Sequence, residues 1–159
     1  MPATNPEPGT PPARPWRGKP YAGAEITVYF DAHRCRHFAD CLRGLPQVFD
    51  ARRRAWIEPD AASAALVADV IRRCPSGALH YQAPDMPDER PDIPTSVRVI
   101  EHGPFLLRGD LRLDTPRGLV TDTRAALCRC TRSARQPFCD ATCGTDGPRD
   151  AQLPDSSDS

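Results

Sequence analysis

Apolar and polar residues alternate along the first half of the chain in ways that predict three main elements. From Ala24 to Phe30 every second residue is apolar, which is typical of a half-buried strand. Asp60 is expected to cap a helix that runs to about Arg73, and Ala78 to Tyr81 to return as a strand beside the first. The apolar positions that predict the buried side of this helix are Leu66, Val67, Val70 and Ile71.

Shorter elements are predicted around these three and in the second half of the chain. Trp56 and Ile57 predict a short strand, and Asp40 is expected to cap a short helix from Cys41 to Leu45. Beyond residue 95 the pattern is one of short strands without a helical period. The predicted strands are Ser96 to Glu101, Pro104 to Arg108 and Leu111 to Leu113.

Composition divides the chain into two modules with tails. Residues 1–20 and 146–159 have few apolar residues, so both ends are expected to be disordered. Residues 83–94, APDMPDERPDIP, are similar and predict a linker. The fold class predicted for the rest is α+β, with a small α+β module in residues 21–82 and a small β-rich module in residues 95–145. Modules of about 50 to 65 residues gain little from one apolar core, so a bound metal would stabilise them.

The charge balance excludes several classes of partner. The 159 residues include 21 basic and 21 acidic side chains. This balance indicates neither nucleic-acid binding nor attachment to a membrane surface. No apolar run is long enough to span a bilayer, and the first twenty residues lack a signal-peptide pattern, so a cytoplasmic protein is expected. In a reducing compartment, grouped cysteines are metal ligands more often than disulfides.

The later of two cysteine groups consists of Cys128, Cys130, Cys139 and Cys143, and its spacing is typical of an iron–sulfur site. Two thiolates one residue apart can converge on one metal. Cys139 and Cys143 would share one face of a helical turn, which Pro137 is well placed to begin. Cys139 would then lie near a helix N-terminus, where the dipole favours a thiolate.

This group resembles the CDGSH iron–sulfur family, whose pattern is CxC, eight residues, then CDGSH with the histidine as fourth ligand. The match includes Pro137 to Asp140, and the upstream segment SVRVIEHGPFLLRG resembles the strand and turn that precede the motif. Ala141 replaces the family's glycine, and Cys143 replaces its histidine. We therefore expect a 2Fe-2S cluster on four thiolates, at a lower potential than in ordinary family members and without the proton coupling that a histidine ligand gives.

Cys35, Cys41 and Cys74 form the earlier group, in which the last cysteine precedes a proline as in bacterial ferredoxins. The segment from Ile26 to Tyr81 resembles the divergent single-cluster 4Fe-4S ferredoxin domain. Phe38 occupies the position of the middle ligand and cannot bind iron. Three thiolates suffice for a 3Fe-4S cluster, and a 4Fe-4S cluster needs a fourth ligand.

His37 is the preferred fourth ligand of this first site, because it lies inside the loop that must wrap the cluster and the resembling family has a histidine there. Asp40 or a solvent or exogenous ligand are the alternatives. We do not expect the apoprotein to be fully folded, because ligand binding would contribute to folding.

These two sites predict a one-electron carrier with two clusters and no catalytic site of its own. A protein that stores or transfers clusters is the alternative, and a structural zinc module is a third possibility, although zinc sites usually use CxxC and the chain has none. The expected partner is a redox protein that donates or accepts electrons, such as a reductase or an oxygenase. The sequence leaves the oligomeric state open.

Overall fold

Two small antiparallel sheets and two helices form the α+β fold of residues 16–142, the residues that the computed structural model describes. The N-terminal tail up to residue 15, and the chain from Cys143 onward with the predicted tail at 146–159, lie outside this range. The elements are β1 (Lys19–Ala22), β2 (Thr27–Phe30), α1 (Asp40–Gly44), a 3₁₀ turn (Pro59–Ala61), α2 (Ala64–Arg72), β3 (Leu79–Gln82), β4 (Ser96–Val99), β5 (Phe105–Thr115) and β6 (Gly118–Leu127).

The first sheet has the order β1-β2-β3, and α2 packs against β3. Val28 of β2 lies opposite Tyr81 of β3, and both are fully buried. This pairing confirms that the last strand of the module returns beside the first predicted strand. The core around this pair also contains Val48, Phe49, Ile57, Val67, Ile71 and Leu79.

The structure corrects the predicted start of this sheet. β2 begins at Thr27 instead of Ala24, because Gly23 N donates a hydrogen bond to Ile26 O and closes a turn. The chain before that turn forms β1, whose first two residues, Lys19 and Pro20, were assigned to the disordered tail. Trp56 and Ile57 form no strand, and Ile57 makes only an isolated bridge to Phe49.

The helices also begin differently from the prediction. Ser63 caps α2, accepting a hydrogen bond from Leu66 N at 3.4 Å. Asp60 instead accepts one from Ala24 N at 2.7 Å. Leu66 is 53% exposed, so it does not belong to the buried side of α2. The short helix α1 is present, but Asp40 makes no capping bond and pairs with Arg43 at 2.8 Å.

The second sheet is a long hairpin of β5 and β6 with β4 on the outer side of β5. The two strands predicted at 104–108 and 111–113 are parts of one strand with a β-bulge between Arg108 and Leu111. The sequence pattern did not predict β6. The apolar core of this module is small and consists of Ile100, Leu106, Ala126 and Cys139.

A network of buried charged side chains joins the two sheets. Arg124 of β6 is 2% exposed and reaches into the first module. Its guanidinium donates to Ile71 O, to Cys74 O at 3.0 Å, to Leu79 O at 2.9 Å and to Glu89 Oε2 at 3.0 Å. These acceptors include the carbonyls that end α2, so β6 closes the C-terminal end of that helix.

The other charges of the network compensate one another. Arg34 pairs with Asp122 at 3.0 Å, and His80 lies between Glu89 at 2.8 Å and Asp122 at 3.2 Å. Burial opposes ionisation of both carboxyls, but the hydrogen bonds from His80 and the charges of Arg124 and Arg34 outweigh it. The pKa values of Glu89 and Asp122 are therefore lowered.

The segment at 83–94, predicted as a linker, contributes to this interface instead of only spanning it. Glu89 is buried between the sheets, and Ala83 belongs to the core of the first module. Trp16, from the predicted tail, stacks on His80 with ring centroids 3.7 Å apart. The two modules therefore meet through a buried polar interface.

Replacing Arg124 with methionine would leave Glu89 buried without its cation. Breaking a buried pair in this way costs about 3–5 kcal/mol, so we expect the apparent Tm of Arg124→Met to fall by roughly 10 °C. Arg112→Met is the matched control, because Arg112 lies exposed on the neighbouring strand β5. Thermal unfolding followed by circular dichroism checks the prediction, and equal melting temperatures for the two variants would contradict it.

Candidate metal centres

The three thiols of the first group line one pocket, as the sequence predicted from their pattern. Cys35 lies on the loop after β2, and Cys41 lies in α1. Cys74 follows α2 directly, with its N–H donating to Ile71 O at 3.0 Å. The apolar walls of the pocket are formed by Phe30, Phe38, Trp56 and Leu79.

Burial disfavours the thiolate forms of Cys35 and Cys41. Burial raises the pKa of Cys41 to about 12, with further repulsion from Cys74. Burial also raises the pKa of Cys35. A bound metal would reverse this effect, because its positive charge stabilises the thiolates that burial disfavours. The donor set of three soft thiols in an apolar pocket fits an iron–sulfur cluster.

His37 lies on the wall of the same pocket, with its Nδ1 3.9 Å from Cys35 Sγ, and its side chain is exposed. This position is compatible with the predicted role as fourth ligand, which stays a prediction. Asp40 also lines the pocket, but its carboxylate is engaged by Arg43. Across residues 16–142 no three His, Cys, Asp or Glu side chains are close enough to hold one metal ion. A polynuclear cluster does not need such convergence, because its iron atoms take separate protein ligands.

The second group has two thiols in direct contact. Cys128 Sγ and Cys130 Sγ are 3.6 Å apart. Two thiolates bound at about 2.3 Å to one tetrahedral metal lie roughly 3.8 Å from each other, so this pair needs little movement to share a metal. Gln136 Nε2 donates to Cys128 Sγ at 3.3 Å.

Cys139 lies on an extended segment that runs antiparallel to the end of β6. Cys128 N donates to Pro137 O at 2.8 Å, Phe138 forms a bridge with Leu127, and Cys139 N donates to Ala126 O at 2.9 Å. In this register Cys139 lies diagonally opposite Cys128. The structure thus places Cys128 and Cys130 in contact and Cys139 diagonally opposite Cys128, and Cys143 lies outside the described residues.

The helical turn predicted to begin at Pro137 is wrong. Pro137 ends a turn in which Phe138 N donates to Arg135 O at 2.9 Å, and the chain then continues in the extended bridge. Within the described residues, Cys139 pairs with the end of β6 and is not part of a helical turn. Cys139 is 4% exposed, and its sulfur accepts a hydrogen bond from Arg36 Nε at 3.1 Å.

Asp140 and Ala141 fix the loop that follows Cys139. The Asp140 carboxylate accepts hydrogen bonds from Thr142 and from Ala134 N, and the bonds from Thr142 are the main reason that its pKa is lowered to about 2. Ala141 has φ 67°, a left-handed conformation that glycine adopts more readily. The glycine of the CDGSH pattern therefore corresponds to a backbone requirement that this chain meets with alanine.

Residues 34–38 have the sequence RCRHF, and we call this segment the RCRHF loop. The loop contacts both sites. Cys35 and His37 approach each other in the first pocket. Arg36 reaches Cys139, and Phe38 packs against the core of the second module. Arg34 places its guanidinium 4.2 Å from the ring centroid of Phe138. Sequence reasoning missed Arg36, and the only signal was the alternation of ligand candidates with arginines along the loop.

Comparisons with known proteins agree with this organisation. Residues 21–84 match the family described as divergent 4Fe-4S mono-cluster, and residues 102–142 match the family described as iron-binding zinc finger, CDGSH type. Uncharacterized protein YjdI of Escherichia coli K12 is 45% identical over 62 residues, which are 39% of this chain and 82% of that protein. The same figures hold for YjdI of Escherichia coli O157:H7.

No solved structure matches the chain. None of the helices within the described residues has the length and apolar content of a membrane span. The resemblance to both families that the motifs indicated is confirmed by the family matches. The chain belongs to the divergent 4Fe-4S mono-cluster family, carries a CDGSH-type iron-binding domain after it, and is an iron–sulfur protein.

Proposed function

We propose that this protein is a one-electron carrier with two clusters. A 2Fe-2S cluster is held by Cys128, Cys130, Cys139 and Cys143. A 4Fe-4S cluster is held by the first cysteine group, with His37 as its fourth ligand. The observation that carries the proposal is the RCRHF loop, which contacts both sites.

This loop sets a short distance between the sites. Cys35 and Arg36 are adjacent, and Arg36 Nε lies 3.1 Å from Cys139 Sγ. The reach of the intervening bonds limits the separation of the sulfurs of Cys35 and Cys139 to about 15 Å. Iron–sulfur clusters exchange single electrons, and centres at such a separation can exchange them with each other. A pair of adjacent centres favours electron transfer over a purely structural role.

The residues of the chain itself have three roles in this proposal. The cysteines and His37 bind iron, Gln136 and Arg36 donate hydrogen bonds to ligand sulfurs, and the apolar side chains around the first pocket limit the access of water. Each role affects the reduction potential, which depends on ligand charge, hydrogen bonds to sulfur and solvent exposure. The proposed partner is a redox protein, either a reductase that donates electrons or an acceptor such as an oxygenase.

Anaerobically purified protein, incubated with an apo-ferredoxin acceptor and then with a reductant, tests the function. We expect both clusters to stay on the protein and to be reduced rapidly, as monitored by absorbance and by iron and sulfide analysis of the separated proteins. Rapid loss of the 2Fe-2S cluster to the acceptor would instead support the alternative, a protein that stores or transfers clusters. Zinc without sulfide would show that the sites are structural zinc sites.

Replacing His37 with alanine should remove one iron from the first cluster and leave three thiolates that hold a 3Fe-4S cluster. Iron analysis and paramagnetic resonance of the oxidised protein measure this change. His33→Ala is the matched control, because His33 is an exposed histidine on the same connection after β2. If His37→Ala and His33→Ala have the same iron content and spectrum, His37 is not a ligand.

Replacing Cys143 with histidine restores the residue of the CDGSH pattern. A neutral imidazole in place of a thiolate should raise the potential of the 2Fe-2S cluster above that of the four-thiolate protein, for which plant-type clusters near roughly −400 mV are the reference. The potential should also become dependent on pH between about 6 and 8, where histidine titrates. Potentiometric titration at several pH values measures both effects.

Ala141→Gly is the control for this substitution, since it restores the other residue of the pattern without changing a ligand. Its potential should equal that of the unmodified protein at every pH. A wild-type potential that already varies with pH as strongly as that of Cys143→His would contradict the assignment of Cys143 as a ligand.

A further inference from the structure

We propose that Arg36 is a positioning residue that couples the two metal sites, so that the occupancy of the first site affects the properties of the second. The inference rests on the proposed function, since it requires a cluster at each site. Arg36 belongs to the loop of the first site, and its side chain holds a ligand sulfur of the second.

Arg36 is a buried cation, and its environment favours an anionic partner. The residue is 9% exposed, and no carboxylate within residues 16–142 forms an ion pair with it. A buried guanidinium without a counter-charge is costly. Its Nε points at the sulfur of Cys139, and its guanidinium lies 4.8 Å from the ring centroid of Phe38. The anion that this site provides is a Cys139 thiolate with its bound cluster.

The backbone around Arg36 is fixed by the first site. Cys35 precedes it directly, and the loop enters α1 with Cys41 five residues later. Phe38 packs against Ile100, Leu106, Ala126 and Cys139 in the core of the second module. Binding of Cys35 and Cys41 to one cluster restricts this loop from both sides, and thus restricts where the Arg36 side chain lies.

An arginine of the second module, Arg124, likewise donates hydrogen bonds to a ligand segment of the first site. Arg124 of β6 donates to Cys74 O at 3.0 Å and to Ile71 O, and so fixes the last turn of α2 where Cys74 begins the ligand segment. Each module therefore supplies a buried arginine to a ligand segment of the other. A coupling through either arginine would change the metal affinity of both sites by the same factor.

The bond from Arg36 to Cys139 has a defined redox effect. A hydrogen bond to a thiolate sulfur withdraws electron density and favours the reduced form of the cluster, which carries one more negative charge. Removal of the donor should therefore lower the reduction potential of the second cluster. It should also make Cys139 a weaker anchor and accelerate the loss of iron from that site.

The test compares Arg36→Met with Arg52→Met in the full chain with both clusters loaded. Arg52 is a surface arginine whose side chain is 90% exposed, so its replacement should change neither quantity. For Arg36→Met we expect the equilibrium between reduced and oxidised second cluster to shift about tenfold, which is about 59 mV for one electron. Iron release from this cluster to a chelator should be several times faster. Arg36→Lys, which keeps a cationic donor, should lie between Arg36→Met and the wild type.

A double-mutant cycle with Cys41→Ser, which removes a ligand of the first site, tests the coupling itself. Cys41→Ser should speed iron release from the second cluster about fivefold or more in the wild-type background, and should add little in the Arg36→Met background. Equal effects of Cys41→Ser in both backgrounds would overturn the proposal. If Cys41→Ser does not fold, His37→Ala replaces it, since this variant disturbs the first cluster while keeping three thiolates.

The outcomes separate this inference from the proposed function. A wild-type protein without iron and sulfide refutes the proposed function. A wild-type protein with both clusters, in which Arg36→Met behaves like Arg52→Met, refutes only the role of Arg36.

Discussion

The structure depends on the burial of Arg124 between the two sheets. A guanidinium that is 2% exposed must find acceptors for its donors and a counter-charge, and it finds them in the carbonyls at the end of α2 and in Glu89. Two apolar surfaces can pack against each other in several orientations at similar free energy. The hydrogen-bond acceptors of Arg124, by contrast, are within reach in only one relative orientation of the two modules. The contribution of such a network is therefore mainly to specify how the modules meet, and less to add net stability.

That arrangement places the RCRHF loop against the second cysteine group. The ion pair between Arg34 and Asp122 anchors the start of the loop on β6, and Arg135 adds hydrogen bonds to Ala32 O and His33 O at 3.2 Å each. Arg36 then reaches Cys139. The contacts that hold the two small modules together thus also bring the two cysteine groups close to each other.

The sequence predicted the elements whose burial pattern is regular. The strands β2 and β3 and the helix α2 have apolar residues at the expected period, and both cysteine groups were recognised from their spacing. β6 was not predicted because its buried positions include Asp122, Thr123 and Arg124, which interrupt any apolar alternation. The reason for those polar residues is the interface, and a contact between modules leaves no local pattern.

The same limit applies to Arg36 and to the helix predicted at Pro137. An arginine beside a cysteine is usually solvated, and its acceptor lies 103 residues away in the sequence. The spacing of Cys139 and Cys143 is compatible with a helical turn, but the backbone of Cys139 pairs with β6 instead. Candidate ligands could thus be proposed from local motifs, whereas the environment of these residues depended on tertiary contacts.

Paramagnetic resonance of the fully reduced protein tests the central claim most directly, because two paramagnetic clusters whose ligand sulfurs lie within about 15 Å of each other interact magnetically. The account predicts signals that are broadened or split relative to the sum of the two separate clusters, with simple signals when only one cluster is reduced. A fully reduced spectrum equal to that sum would show that the two clusters are not held close to each other by the RCRHF loop.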